Sequence, residues 1–333
     1  MSFAKAAPAA GLFAAAVAPR PRARPLLAVA GLAWLAFAAY VLRAPDVQDL
    51  ERTALFGEIA VALGALQLLA WNFGGRTRLL AGAGTLAPWL LALAILFAAW
   101  EAVTAKSDLL PQPFFVAPQA LLEVYTDDWP RLLDSLWHSL WLLLRGYAIG
   151  AALGFVLGVG LGWSRTVSYW AHPVLRLVGP LPATAWVPLA FFVFPTSASA
   201  STFLIALATG FPVAVLTWSG VASVSGAYYD VARTLGAGQW FLVWRVAIPA
   251  ALPHVFVGLF MGLGASFAVL VIAEMLGVKS GLGWYLQWAQ GWAAYANMYA
   301  ALLLMAGMCS GLITLLFRVR DRLLAWQKGM VKW

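Results

Sequence analysis

The sequence predicts an all-α protein, a polytopic transmembrane helical bundle. Three observations lead there. Hydrophobic residues fill 63% of the 333 positions and charged residues only 10%, against about 45–50% and about 25% in an ordinary soluble domain. Apolar runs near the ~20 residues that cross a hydrocarbon core recur along the whole chain. The 18 Trp suit a protein with two membrane–water boundaries, where that side chain collects. So little polar surface excludes a soluble enzyme. A net charge of +8 would suggest nucleic acid in a soluble chain. Here the charges sort by membrane side, and no nucleic-acid partner is expected.

Residues 1–25 are rich in Ala and Pro and end in a basic cluster, Arg20, Arg22 and Arg24. The positive charge follows the weak apolar stretch instead of preceding it, so a disordered cytoplasmic tail is expected and a cleaved signal is not. Spans are expected at 26–42, 53–72, 85–104, 135–163, 174–194, 199–219, 255–276 and 297–317. The span 135–163 is long enough to tilt or project. The span 174–194 holds Pro180, Pro182 and Pro188. It is expected to be kinked or broken, which a membrane tolerates only where protein or a wet cavity surrounds the backbone.

Basic residues orient these spans. With the N-terminus in the cytoplasm, 15 of the 21 Lys and Arg fall on the cytoplasmic side or its margins, five outside, and Arg145 within a span. The positive-inside rule selects that arrangement, with both termini inside. Segment 105–134 is then external, 220–254 cytoplasmic and 277–296 external. Trp284, Trp288 and Trp292, spaced four apart, share a helical face and read as an interfacial anchor. The single cysteine, Cys309, lies in an apolar run and reads as a packing residue. No metal cluster follows from the Cys and His content.

Gly146, Gly150, Gly154, Gly158 and Gly162 recur every four residues. Such spacing opens a groove in which another helix backbone approaches closely. Arg145 falls about ten residues into its span, roughly 15 Å deep at 1.5 Å per residue. A charge there is costly and marks either a pathway contact or a structural pairing. Glu58, Glu101 and Glu274 fall towards the outer side. Arg145, Pro182, Pro188 and Glu274 are the candidates for a translocation pathway, with Glu274 also read as a structural or gating contact.

The most informative segment is cytoplasmic: Tyr229-Asp230-Val231-Ala232-Arg233-Thr234-Leu235-Gly236-Ala237-Gly238-Gln239-Trp240, continuing to Val246-Ala247-Ile248-Pro249. Asp230 is expected near a helix N-terminus, where a carboxylate accepts orphan N–H groups. The helix 230–235 then stops at Gly236, as C-cap chemistry favours. A second amphipathic stretch runs from Trp240 to Val246. A short helix and a turn held between two spans make a docking element.

This segment resembles the signature loop of permease subunits of binding-protein-dependent ABC importers. That pattern is Glu-Ala-Ala, three residues, Gly, nine residues, then Ile-x-Leu-Pro. Here it is Asp230-Val231-Ala232, three residues, Gly236, nine residues, then Val246-x-Ile248-Pro249. Leu109-Leu110-Pro111-Gln112-Pro113, Arg233-Thr234-Leu235-Gly236-Ala237 and Ala273-Glu274-Met275-Leu276-Gly277 are similar to the branch that serves nitrate, sulfonates, taurine and bicarbonate. Phe191–Pro195 departs from the Trp-Phe-Gly-like stretch common in that branch. The resemblance covers about residues 85–325. It implies a type I ABC importer permease core of six spans over 81–325, with an extra N-terminal helical hairpin over 26–80 and a C-terminal tail over 326–333. It also implies that Tyr229, Asp230, Ala232, Arg233, Leu235, Gly236 and Ala237 form a coupling helix.

The implied partners are two ATP-binding cassette ATPases, a second permease copy, an external solute-binding protein and membrane lipid. No cofactor is bound directly; ATP and Mg are used by the partner ATPase. No Lys follows a Gly in the chain, so the Gly-Lys of a phosphate-binding loop is missing and a separate ATPase is required. The alternative, an ion- or proton-coupled secondary transporter, predicts internal repeats and paired broken helices at the midplane. The chain has one proline-broken span and no such repeat. A membrane-embedded enzyme would need clustered catalytic His, Asp or Glu, whereas His138, His172 and His254 are far apart.

Overall fold

The computed structural model describes residues 23–326 apart from 48, 74–82, 108, 111, 112 and 180. The tails, Arg76, Arg78 and Pro180 therefore lie outside the described residues, except that Ala23, Arg24 and Pro25 open the first helix and Trp326 is described. Among the described residues every regular element is helical. Seven helices are long and apolar enough to cross a membrane, or eight if one bent pair counts as a span. The chain divides into two compact units, residues 1–128 and 129–333.

The first unit contains α1 (Ala23–Arg43), α2 (Thr53–Phe73), α3 (Ala83–Thr104) and α4 (Pro118–Asp127). Trp34, Phe37, Phe56 and Phe97 bring their rings to within 5.7–6.5 Å between centroids and join the three long helices. The Trp34 indole donates to the Leu90 carbonyl at 3.0 Å. At the end of α3 the nearly buried Lys106 donates to the Val41 and Ala44 carbonyls at 2.9 and 2.7 Å and to Asp46 at 2.7 Å. It thereby satisfies orphan carbonyls at the end of α1, where a cation also suits the helix dipole. Glu101 is fully buried and accepts from Gln119 at 2.6 Å. Arg52 pairs with Asp127 at 2.7 Å. That hydrogen bond holds the Asp127 carboxyl below its usual range.

The second unit contains α5 (Trp129–Trp163), α6 (Arg165–Val178), a 3₁₀ turn (Ala183–Trp186), α7 (Val187–Val193), α8 (Ser197–Ala222) and α9 (Gly226–Thr234). A turn at Gln239–Phe241 and a π-helical stretch (Leu242–Ala247) lead into α10 (Ile248–Gly277), followed by α11 (Leu282–Gly291) and α12 (Tyr295–Leu323). α8 is the centre of this unit. Thr196 and Ser199 cap its start reciprocally: the Ser199 N–H donates to the Thr196 hydroxyl at 3.2 Å, and the Thr196 N–H to the Ser199 hydroxyl at 3.3 Å. One flank of α8 meets α5 and the other meets α10. Leu143, Leu204, Ile205, Leu270 and Ala273 are fully enclosed in the core between them.

The expected span 174–194 is corrected. Its helix begins at Arg165 and stops at Val178, and α7 resumes at Val187; the two halves meet at 87°. Pro182 has φ −63° in extended backbone just before the 3₁₀ turn, and Pro188 lies in the first turn of α7. Each proline stands where its missing N–H has no helical acceptor to lose. The long span also begins earlier than 135, at Trp129. Of the three spaced tryptophans, Trp284 and Trp288 lie within α11, whereas Trp292 is its C-cap and 75% exposed. The face they share is thus cut short by Gly291.

Candidate functional site

The five spaced glycines of α5 all face α8. A Cβ on Gly146 would stand 2.6 Å from Ile205, on Gly158 2.5 Å from Thr217 and on Gly162 2.6 Å from Val221. On Gly150 it would strike the Ala206 carbonyl, and on Gly154 the Gly210 carbonyl. The ridge sets main chain against main chain, which is what small residues every four positions permit. From the other side, Gly258 and Gly262 of α10 approach Val213 and Thr209 of α8 less tightly, a Cβ on either standing 3.0 Å from the nearest backbone atom. The Tyr147 hydroxyl donates to the Leu259 carbonyl at 2.9 Å, tying α5 to α10 directly.

At one end of the bundle these three helices carry α9. Val221, Ala247 and Ala251 form a small buried cluster onto which Val159, Trp163 and Tyr229 pack. The Tyr229 ring meets Trp163 edge to face, with centroids 5.7 Å apart. Partial burial raises the Tyr229 phenol above its usual range, and the ring stays neutral. The opposite face of α9 is apolar and uncovered. Tyr228, Val231 and Leu235 are 65%, 62% and 83% exposed, and their spacing of three and four places them on one stripe. Trp240 follows, 78% exposed. A helix facing only water would carry polar residues there.

The end of α9 is a Schellman turn. The Gly236 N–H donates to the Arg233 carbonyl at 2.9 Å, and the Ala237 N–H to the Ala232 carbonyl at 3.0 Å. Gly236 has φ +83°, a conformation open to glycine at no steric cost. The expected start of this helix is corrected. It begins at Gly226 after Ser225, not at Asp230. Asp230 lies within it and approaches Arg233 at 3.4 Å. An i, i+3 pair across an exposed face holds it there. The stretch from Trp240 is also corrected: it is one α turn and then a π-helical segment. The π segment ends two residues before Pro249, whose ring and missing N–H break the regular ladder.

The pathway candidates occupy different surroundings. Glu274 is fully buried. It accepts from the Ser139 hydroxyl at 2.7 Å and from the Gly283 N–H at 2.8 Å, while Ser139 accepts the Leu282 N–H at 2.7 Å. The carboxylate and the hydroxyl together cap α11, and Gly281, at φ +108°, lets the chain turn against Glu274. Ser139 was not apparent as a functional residue; a serine among apolar neighbours is the signal that could have found it. Its replacement by Ala leaves the Leu282 N–H unsatisfied. The expected loss is about 1–3 kcal/mol, read as a lower thermal midpoint with early proteolysis at 282–291. Wild-type behaviour in both measurements would remove this role.

Pro182 lines a cavity of about 360 Å³ behind the broken span, with Thr184, Phe211 and Val269. Neither Arg145, Pro188 nor Glu274 lines it. Arg145 is exposed near the middle of the 35-residue α5.

Long apolar helices seated on glycine ridges, a broken span beside a cavity and an exposed apolar stripe on a short helix together suit a membrane transport subunit. The family described as binding-protein-dependent transport system inner membrane component matches residues 150–327. The taurine transport system permease protein TauC of Escherichia coli is 33% identical over 70% of this chain and 87% of its own length. The nitrate import permease protein NrtB of Synechococcus elongatus is 28% identical over 73% and 89%. A chain of the MetNI methionine ABC transporter, solved in inward-facing conformations, shares the fold with a TM-score of 0.50 at 15% identity, covering 58% of this chain and 95% of that one. The chain belongs to the binding-protein-dependent permease family. It is a multi-pass inner-membrane transport subunit of an ABC importer.

Proposed function

We propose that this chain forms the translocation pathway for a small anion, of the kind named for its relatives: taurine, nitrate, sulfonate or bicarbonate. Two separate ATPase subunits use ATP and Mg, a second copy of the chain completes the pathway, and an external binding protein delivers the solute. The observation that carries the reading is α9. Its inner edge rests on α5, α8 and α10 through Tyr229 and Trp163. Its uncovered stripe, Tyr228, Val231 and Leu235, offers a partner an apolar surface. Movement of a seated ATPase reaches all three helices through that contact, as a rigid-body switch requires. Arg145, charged and exposed in mid-helix, is the pathway residue suited to an anion. The core is taken as six spans over 81–325, with the hairpin 26–80 added.

The topology puts both termini and residues 220–254 in the cytoplasm, since 15 of 21 basic residues then lie inside. A cysteine placed at Ala237 is expected to resist an impermeant thiol reagent in intact cells and to react in inverted vesicles. Labelling from outside would reverse the topology. The solute is tested by thermal-shift screening of the cognate binding protein against oxyanions and sulfonates. Stabilisation by cations or neutral solutes alone would overturn the anion reading.

A further inference from the structure

A groove of about 990 Å³ opens where α5 ends and α6 begins. Its α6 wall carries Arg165, Ser168, His172 and Arg176, its α5 wall ends in Trp163, and Ser164 stands at the junction. At 100° per residue, positions 165, 172 and 176 lie within about 20° of position 165 on the helix, so the basic side chains form one stripe. His172 stands edge-on to Trp218 of α8, with centroids 4.7 Å apart. Among the described residues, no Asp or Glu lines the groove. The other face of α6 is apolar and uncovered: Val167, Trp170 and Val174 are exposed. Ser164 caps the helix start, accepting from the Val167 N–H at 3.4 Å.

We propose that this groove binds the headgroup of an anionic phospholipid of the cytoplasmic leaflet, with Arg165 and Arg176 as its phosphate ligands. The apolar face of α6 lies alongside the acyl chains, as in a helix at a membrane boundary. Uncompensated arginines in a groove between membrane helices on that side suit phosphate headgroups. The two arginines are about 16 Å apart along the helix axis. A lipid with two phosphates offers each of these cations an anion of its own, which a lipid with one phosphate does not. The expected order is therefore diphosphatidylglycerol, then phosphatidylglycerol, then phosphatidylcholine. The side of the membrane rests on the topology proposed above; the binding does not.

The test uses the complete transporter, the chain co-purified with its ATPase, in nanodiscs of phosphatidylcholine doped with diphosphatidylglycerol. Lipid retained is counted by native mass spectrometry. The double variant R165Q/R176Q is expected to lose roughly thirtyfold in affinity, the factor for two surface cations. The charge-matched control R318Q/R322Q is expected to bind as wild type does. A photoactivatable diphosphatidylglycerol on the wild-type complex gives a readout that needs no variant, with adducts expected in the peptide 161–177. Retained binding in the double variant, full competition by inorganic phosphate, or adducts confined to other peptides would each overturn the proposal. Because binding and not uptake is read, a wrong solute or an inverted topology leaves this result unaffected.

Discussion

Gly154→Leu is expected to reach the membrane and fail to hold α5 against α8. A single Cβ at this position already falls on the Gly210 carbonyl, and a backbone atom cannot rotate aside. α8 cannot retreat either, because Gly262 and Gly258 of α10 press on Thr209 and Val213 from its other side. Overpacking costs about 1–3 kcal/mol in cores that can adjust, and occasionally more. Here the cost is expected at or above the upper end. The measurement is thermal unfolding of purified protein in nanodiscs, with size exclusion to follow assembly. Gly154→Ala is expected to destabilise less, with the same sign. Gly264→Ala is the control, since nothing stands within 4 Å of its Cβ position. Helix propensity alone then makes it neutral or stabilising by up to ~1 kcal/mol. A Gly154→Leu protein that melts and assembles like wild type would show that the ridge does not set the packing.

The second large effect is on coupling. Gly236→Pro is expected to abolish ATP-dependent uptake while leaving the permease in the membrane. Proline holds φ near −65°, whereas Gly236 stands at +83° and donates to Arg233. The variant thus loses the conformation and the hydrogen bond together, and α9 cannot close its Schellman turn. Asp230→Lys is expected to act on the surface instead. It replaces the carboxylate facing Arg233 with a second positive charge, changing what a partner meets without touching the spans. Gly236→Ala is the graded case, with roughly 1–2 kcal/mol of left-handed strain. ATPase co-purification and uptake in proteoliposomes are compared with wild type. Wild-type rates and a retained ATPase in both Gly236→Pro and Asp230→Lys would remove α9 as the coupling element.

Features with their cause inside one or two turns of chain were legible in advance. Apolar length marked the long spans. The glycine spacing of α5 marked a close helix approach, although not that α8 and not α10 is the helix it meets. Gly236 was readable as a helix stop because the end of a helix is a local hydrogen-bonding problem. The broken span was readable only in part. Its prolines announced a break, but the basic stripe of α6, Arg165, His172 and Arg176, concealed the first half from a search for apolar residues. The start of α9 was misplaced because Asp230 is a good N-cap residue in general, and here Ser225 and Gly226 turn the chain four residues earlier.

By itself, the sequence determined that this protein lives in a membrane, where most of its long helices run, which helix is smooth enough for a backbone contact and where the short helix α9 ends. Hydropathy, residue volume and the φ freedom of glycine are properties of the residues themselves, and they act at short range. Only the tertiary structure decided what Glu274 does. Its partner Ser139 is 135 residues away, and a buried carboxylate must find its donors in whichever elements the fold brings beside it. The same holds for Tyr229 on Trp163 and for the groove shared by Trp163, Ser164 and the α6 stripe. These contacts depend on how helices cross, and crossing is set by side chains from several segments at once.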